Sequence, residues 1–221
     1  MWGSTRSLRV LFLLVIVACF TRSVSAGTLY AIGPDSGLSG PWGFYSVSTG
    51  GAATWLSDLG DGSLGFTGGL AFNPGNNLFY AIANDGLGNS SLVSVSLGGG
   101  AYTTIGPLDT GFVSGLAYNA SDGFLYGIST DPLAESSLYK ISLGGALSSV
   151  GVLGTGFYGG LTFRSSDGLL YAFSGDPLGV QREFNSIDPA TAVPTWLFEV
   201  GDEWTSFSGG VAWNPEDGLF Y

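Results

Sequence analysis

The sequence contains no histidine, and its single cysteine, Cys19, lies in an apolar N-terminal segment. The absence of histidine excludes Ser-His-Asp triads, Cys-His pairs, histidine general bases and histidine-ligated zinc. One cysteine cannot form an internal disulfide, so stability has to come from packing and backbone pairing. Neither the G-x-S-x-G nucleophile elbow nor the P-loop motif occurs. The common catalytic sets are therefore missing.

Positive charge is also scarce. The chain has 6 Lys and Arg residues against 17 Asp and Glu residues. Arg6, Arg9 and Arg22 lie in the predicted signal segment, and residues 27 to 221 then carry a net charge of −14. Such a surface repels phosphate backbones and anionic membranes, which excludes nucleic acid as a partner. Cationic proteins, metal ions and neutral sugars remain as partner classes.

The N-terminus has the pattern of a secretory signal. Arg6 and Arg9 precede an apolar run from Val10 to Phe20, and small residues follow at Val24-Ser25-Ala26. The run is too short to span a bilayer, so we predict a signal peptide over residues 1–26 and a secreted or cell-surface protein. An alternative uses Ile16-Val17-Ala18-Cys19 as a lipoprotein box, which would leave a lipid anchor on Cys19.

Helix and disorder are both disfavoured by the composition. The chain contains 38 glycines, each costing about 1 kcal/mol inside a helix. Its aromatic fraction of 14% is too high for an ordinary disordered chain. The remaining class is an all-β protein rich in turns.

One motif recurs along residues 27–221. It reads GLAYNASDGFLY from Gly115 to Tyr126, with near copies beginning at Gly69, Gly160 and Gly210. Its last residue falls at Tyr30, Tyr80, Tyr126, Tyr171 and Tyr221, a period of 45 to 50 residues. Such a period is typical of repeated supersecondary units.

Each repeat contains four short apolar segments separated by turn residues. The predicted first, inner strands are 69–72, 115–118, 160–163 and 210–213, and the second strands are 29–32, 79–82, 125–128 and 170–173. The third strands are 44–47, 92–95, 138–141 and 184–187, and the fourth run through 55–56, 104–105, 149–150 and 196–197. Four antiparallel strands in about 45 residues predict a β-propeller blade, and residues 27–221 form one β-propeller repeat domain.

Two local features support this assignment. Paired glycines in the inner strands, such as Gly68-Gly69, permit neighbouring backbones to approach closely. The segments NPGNN, NASDG, RSSDG and NPEDG follow the inner strands and have the residues of a type I turn with a bulge, in which Gly or Asn is left-handed.

The repeat resembles those of secreted bacterial β-propeller proteins, of the PEP-CTERM-associated or YVTN-like type. The resemblance rests on Leu-Tyr-x-Ile, on Phe-x-Gly-Gly-Leu-x-Phe and on Asp-Gly-x-Leu-Tyr, and it covers nearly all of residues 27–221. It implies a propeller fold and an extracellular setting, and most such relatives have no defined function. The chain departs from them in that no hydrophobic sorting tail follows Tyr221.

The strand count is uneven. The opening blade has three predicted strands, the next three have four, and the last has two. Because the first and last blades both contribute a second strand, we expect an incomplete, truncated propeller belonging to a larger one of about six to eight blades. A four-bladed ring and an arc completed by oligomerisation are the alternatives.

Aspartate recurs five residues after the repeated tyrosine, at Asp35, Asp85, Asp131 and Asp176. Propeller topology puts these loops on one face with those that contain Asp58, Asp61, Asp109 and Asp202. The favoured interpretation is that each recurring aspartate caps its own loop as an Asx turn. The alternative is a site for calcium or another hard cation, although EF-hand spacing is absent.

The aromatic residues also allow two interpretations. Phe66, Phe112, Phe157 and Phe207 stand three residues before an inner-strand glycine and are expected to pack between blades. Trp55 and Trp196, on predicted outer strands, either cover a blade edge or contact carbohydrate. Trp204 falls in the loop before the last inner strand, on the face predicted to carry the recurring aspartates.

The sequence thus favours a secreted, non-enzymatic propeller that binds an extracellular protein or glycan and needs no cofactor. The alternative is a carbohydrate-active enzyme, a glycosidase or lyase, that uses carboxylates alone. A third interpretation is an inert structural protein of a wall or matrix.

Overall fold

A computed structural model describes residues 28–34, 41–48, 50–59, 64–85, 87–108, 113–131, 133, 135–175, 182–200 and 210–221. The predicted signal peptide, including Cys19, lies outside these residues. The described residues form strands and turns and no helix. Among them, no helix has the length and hydropathy needed to cross a membrane.

The strands form four antiparallel blades and a terminal hairpin. Blade 1 contains β1 (Thr28–Pro34), β2 (Trp42–Ser48) and β3 (Ala53–Asp58). Blade 2 contains β4 (Gly65–Asn73), β5 (Leu78–Asn84), β6 (Ser90–Ser96) and β7 (Thr103–Leu108). Blade 3 contains β8 (Val113–Asn119), β9 (Phe124–Thr130), β10 (Glu135–Ile141) and β11 (Leu147–Thr155). Blade 4 contains β12 (Phe157–Arg164), β13 (Leu169–Gly175), β14 (Arg182–Ile187) and β15 (Pro194–Glu199), and the terminal hairpin contains β16 (Trp213–Asn214) and β17 (Leu219–Phe220). The predicted all-β propeller is confirmed, as are the four strand positions in blades 2 to 4 and the three in blade 1. In the last repeat the predicted inner strand 210–213 is a strand only at Trp213–Asn214.

In the inner part of each blade, alternating side chains are buried on both faces, and apolar clusters fill the junctions between blades. Tyr30 and Phe44 of blade 1 pack against Phe79 of blade 2, and similar clusters join blades 2 to 3 and 3 to 4. Phe184 of blade 4 packs against the terminal hairpin through Val211. Ala212 of the same hairpin packs against Leu29, Ala31 and Val47 of blade 1. The terminal hairpin therefore lies between blades 4 and 1. With three strands in blade 1 and two in the terminal hairpin, the described sheets are consistent with the expected incomplete propeller.

The inner strands crowd the axis, as their glycines predict. A Cβ atom on Gly69 would fall inside contact distance of the Leu116 backbone, and one on Gly115 would lie 2.9 Å from Leu161 Cβ. Larger residues at these positions would force neighbouring blades apart.

The turns after the inner strands also follow the prediction. Asn77, Gly123, Gly168 and Gly218 have φ angles of 56°, 79°, 76° and 73°. The amides of Gly123, Gly168 and Gly218 donate to the carbonyl four residues earlier at 2.9–3.0 Å. These are the left-handed positions that Gly and Asn tolerate.

The prediction for the phenylalanines is only partly correct. Phe66 is buried as expected, whereas Phe157 is 54% exposed. The β-bulge of β4 contains one residue more than that of β12. Phe66 therefore pairs with Ala83, whereas Tyr158, and not Phe157, pairs with Ser174, the residue that matches Ala83 in the repeat. A shift of one residue moves a side chain to the other face of a strand, so Tyr158 is buried instead of Phe157. Phe112 and Phe207 lie outside the described residues.

Candidate functional site

The recurring aspartates on the loop face hold their own loops. The loop face is the side of the propeller on which the second strands β5 and β9 end, at Asn84 and Thr130. Asp85 Oδ1 accepts hydrogen bonds from Leu87 N (2.8 Å) and Asn89 N (3.1 Å), and Asp85 Oδ2 accepts one from Asn89 Nδ2 (2.6 Å). Asp131 Oδ1 accepts from Leu133 N and Glu135 N, both at 2.8 Å. Both aspartates form the Asx turn expected from the sequence.

These contacts also shift the pKa of the Asp85 carboxyl. The hydrogen bond from the Asn89 side chain, followed by that from Leu87 N, lowers the pKa of the Asp85 carboxyl below its usual value. No cluster of three or more His, Cys, Asp or Glu residues suited to a metal ion occurs among the described residues. Asp35 and Asp176 lie outside them, as do Asp61, Asp109 and Asp202, and the calcium site stays a prediction.

The Asx turns project two leucines from the loop face. Leu87 and Leu133 are 87% and 85% exposed. Each follows its aspartate by two residues and donates its backbone amide to that carboxylate. Sequence reasoning missed these leucines, although Asp-x-Leu recurs at Asp85, Asp131 and Asp176. The two leucines therefore stand at the same position of the repeat and form a recurring apolar feature of the loop face.

The turn face is the opposite side of the propeller, where the turns after the inner strands lie, and in three repeats a tyrosine-aspartate pair holds this turn. The hydroxyls of Tyr126, Tyr171 and Tyr221 donate to Oδ2 of Asp122, Asp167 and Asp217 at 2.8, 2.6 and 2.7 Å. In blade 2 the pair is reversed, with Asn76 Nδ2 donating to the Tyr80 hydroxyl at 2.9 Å. The repeated tyrosine therefore fastens the inner hairpin turn to the second strand.

Two of the three cations of residues 27–221 reinforce these pairs. Lys140 Nζ lies 2.9 Å from Asp122 Oδ2 and 4.0 Å from the ring centre of Phe124. Arg164 forms an ion pair with Asp167, and its guanidinium lies 4.5 Å from the ring centre of Tyr171. These cations are therefore committed to the turns.

The same pairs shift the pKa of their members. Burial, supported by the hydrogen bond to Asp167, raises the pKa of Tyr171 to about 12. Partial burial opposes ionisation of Asp122, but hydrogen bonds from Lys140 and Tyr126 outweigh it and lower the pKa of the carboxyl. Both groups keep their usual charge near neutral pH, which suits a structural role and not proton transfer.

Two cavities open on the turn face. One, of about 460 Å³, is lined by Asp122, Tyr126 and Lys140 of blade 3 and by Pro189 of blade 4. The other, of about 180 Å³, lies at the axis between the inner strands, where Tyr118, Phe163 and Trp213 line it and no charged side chain contributes. Among the described residues, no Asp or Glu is buried. The described cavities thus offer polar and aromatic contacts without a buried carboxylate pair.

The tryptophans of the outer strands are accessible. Trp55 on β3 is 51% exposed and Trp196 on β15 is 58% exposed, so solvent reaches both indole side chains. Trp204 lies outside the described residues.

Comparison with known proteins supports the fold and no specific activity. No family model and no curated protein matches the chain. Its structure is similar to an engineered GH43 glycoside hydrolase with endo-xylanase and exo-arabinofuranosidase activity, at 12% identity and a TM-score of 0.65, over 94% of this chain and 47% of the hydrolase. It is similar to TolB from Acinetobacter baumannii at 15% identity and a TM-score of 0.60, over 90% of this chain and 46% of TolB. A chain from a nidogen/laminin complex matches at 14% identity and a TM-score of 0.59, over 90% of this chain and 69% of that chain. The chain spans about half the length of the first two, and the neighbours include enzymes and binding proteins.

Proposed function

We propose that the chain is a secreted, non-enzymatic propeller that binds an extracellular protein through its loop face. The observation that carries the proposal is the exposure of Leu87 and Leu133, each held by an aspartate of its own loop. Ordered loops lose little conformational entropy on binding, so an exposed leucine on such a loop contributes much of its burial energy to affinity. The predicted signal peptide over residues 1–26 supports an extracellular setting.

The chemistry of the loop face suggests the class of partner. Asp85, Asp131 and Glu135 each stand two residues from one of the leucines, and residues 27–221 are strongly acidic. A partner surface that combines apolar pockets with Lys and Arg would complement both features. Leucine methyl groups do not stack on sugar rings as aromatic faces do, so the loop face favours a protein over a glycan.

The experiment selects displayed peptides against the 221-residue protein and measures each selected peptide by fluorescence anisotropy. We expect the selected peptides to be rich in Lys, Arg and apolar residues. Their affinity should fall at least tenfold for the double variant Leu87→Ser/Leu133→Ser and should also weaken as salt rises. The matched control is Val152→Ser/Val193→Ser, because both valines are exposed and lie away from the loop face.

Two outcomes would contradict the proposal. One is equal binding of the selected peptides to the wild type and to the leucine variant. The other is a loss of affinity in the valine control as large as in the leucine variant. Either would place the contact surface away from Leu87 and Leu133.

The alternative function is a carboxylate-based glycosidase or lyase. Its support is the shared fold with a glycoside hydrolase, and its requirement is a pair of converging carboxylates. The candidates are Asp61, Asp109 and Asp202, in the links between blades. Release of reducing or unsaturated sugar ends from a polysaccharide panel, lost in Asp61→Asn or Asp109→Asn, would favour the enzyme over the binding module.

A further inference from the structure

The larger cavity of the turn face, the junction cavity, lies between blades 3 and 4, each of which has four described strands. Asp122, Tyr126 and Lys140 line it from blade 3. Pro189 and Ala190, in the turn between β14 and β15, line it from blade 4. Its volume of about 460 Å³ falls in the range of about 300–1,000 Å³ that is usual for small-ligand sites.

The blade 4 side of the junction cavity departs from the repeat. The turn between the third and fourth strands begins with Ser-Leu in blades 2 and 3 and with Asp-Pro in blade 4. Leu97 packs on the cluster between blades 1 and 2, and Leu143 packs on the cluster between blades 2 and 3. Pro189 has the smaller side chain, so space that leucine fills at the other two junctions is left open here.

The blade 3 side departs from the repeat at the same junction. Lys140 pairs with the repeated tyrosine of blade 3, whereas serine takes this position in the other three blades, as Ser46, Ser94 and Ser186. Paired side chains share a face of the sheet, and Tyr126 packs in the cluster between blades 3 and 4, so Lys140 faces blade 4. One departure from the repeat opens the space, and the other puts an ammonium group in its wall. Residues that only build a blade recur with the repeat, so this coincidence indicates a site with its own role.

The charged pair in the wall keeps hydrogen-bonding capacity. Lys140 Nζ lies 2.9 Å from Asp122 Oδ2, and the two side chains are 31% and 29% exposed. An ammonium group has three donors, of which Asp122 accepts one and the Phe124 ring, 4.0 Å away, faces another. Asp122 Oδ1 accepts one hydrogen bond, from Phe124 N at 3.1 Å, and a carboxylate oxygen can accept two. A donor and an acceptor therefore remain side by side.

The charges and the lining select a neutral ligand rich in hydroxyl groups. Lys140 and Asp122 cancel, and Asp188 adds a negative charge next to Pro189, so no net positive charge attracts an anion. A hydroxyl group both donates and accepts, so neighbouring hydroxyls of a sugar match an adjacent ammonium and carboxylate. Further hydroxyls come from the lining residues Ser148 and Ser149.

We propose that the junction cavity binds one residue of a neutral glycan. Lys140 donates to one hydroxyl of the sugar, Asp122 accepts from the neighbouring hydroxyl, and Pro189 provides the space. The junction cavity lies on the turn face, so this site does not depend on the function proposed for Leu87 and Leu133 on the loop face.

The experiment screens the 221-residue protein on an array of neutral oligosaccharides of glucose, galactose, mannose, xylose and N-acetylglucosamine, with sialylated and sulfated glycans beside them. We expect binding to a neutral glycan and none to the anionic ones. Isothermal titration with the bound oligosaccharide then gives the affinity, which should stay unchanged as salt rises because the ligand has no charge.

Two variants restore residues of the other repeats. Lys140→Ser installs the residue of blades 1, 2 and 4, and Pro189→Leu installs the residue of blades 2 and 3. Each should weaken glycan binding at least about tenfold, the first by removing a charged donor and the second by filling the space. Both variants are expected to fold, since the neighbouring blades already have these residues at the same position.

Arg164→Asn is the matched control. Arg164 is also a cation of the turn face that is paired with an aspartate, and asparagine takes its position in the other repeats, as Asn73, Asn119 and Asn214. Arg164 is not among the described residues that line the junction cavity, so this variant should bind the glycan as the wild type does.

Several results would overturn the proposal. Unchanged affinity in both Lys140→Ser and Pro189→Leu would place the sugar elsewhere, and an equal loss in Arg164→Asn would show that affinity follows net charge. A preference for sialylated or sulfated glycans would make the ligand an anion. Saturable binding of free glycine without binding of any neutral glycan would assign the junction cavity to a zwitterion, and binding of none of these probes would leave it without a ligand role.

Discussion

The hydroxyl group of the repeated tyrosine carries a structural role that its position in the motif does not reveal. In three repeats it donates to the aspartate four residues earlier, and that aspartate also accepts the backbone amide two residues after it. In blade 2 Asn76 replaces the aspartate, and its amide donates to the Tyr80 hydroxyl instead of accepting from it. A single side-chain pair therefore fixes the turn and its following strand together.

Tyr126→Phe should lower the free energy of unfolding more than Tyr80→Phe does. Tyr126 donates to the carboxylate of Asp122, while Tyr80 accepts from the neutral amide of Asn76. Hydrogen bonds to charged groups stabilise more than neutral ones, so we expect losses of about 1.5 and about 0.5 kcal/mol respectively. Urea unfolding of both variants measures the difference, and equal losses would contradict the assigned role of the carboxylate.

At the scale of the strand, the inner-strand glycines set the distance between blades. Gly69 faces the backbone of Leu116 in the next blade, with no space for a side chain. Gly65, in the same strand β4, has no heavy atom within 4 Å of the position that a Cβ would take. Gly65 and Gly69 therefore differ in the atoms that an added methyl group would meet.

Gly69→Ala is therefore expected to destabilise the protein by about 3 kcal/mol, because the added methyl group pushes two backbones apart. Gly65→Ala should change the free energy of unfolding by less than about 0.5 kcal/mol. Thermal and urea unfolding of the two variants provide the comparison. If Gly69→Ala is as stable as Gly65→Ala, the close approach of β4 and β8 is wrong.

The strands and turns were predictable because both depend on local sequence. The Leu-Tyr pair marks each second strand, and the Asp-Gly or Asn-Asn turn marks each inner hairpin. Phe157 was not predictable, since its exposure follows from the length of a β-bulge and not from its distance to Gly160. The exposure of Leu87 and Leu133 depends on Asx turns that aim these side chains outward, and composition alone does not give that direction.

At the scale of the molecule, packing between blades and net charge act against each other. Ala212 joins the terminal hairpin to blade 1, so the inner part of blade 1 is packed against both blade 2 and the hairpin. The net charge of −14 in residues 27–221 opposes this compact arrangement through self-repulsion. Lys140 and Arg164 are committed to aspartates of the turn face and do not relieve the charge of the loop face.

Calcium tests whether the loop-face aspartates act as ligands or as loop caps. Screening of the net charge should raise the melting temperature with any salt, so the comparison is between calcium chloride and sodium chloride at equal ionic strength. Because the oxygens of Asp85 and Asp131 accept hydrogen bonds within their own loops, we expect equal melting temperatures in the two salts and no change on adding a chelator. A higher melting temperature in calcium, reversed by the chelator and lost in Asp85→Asn/Asp131→Asn, would instead identify a cation site on the loop face.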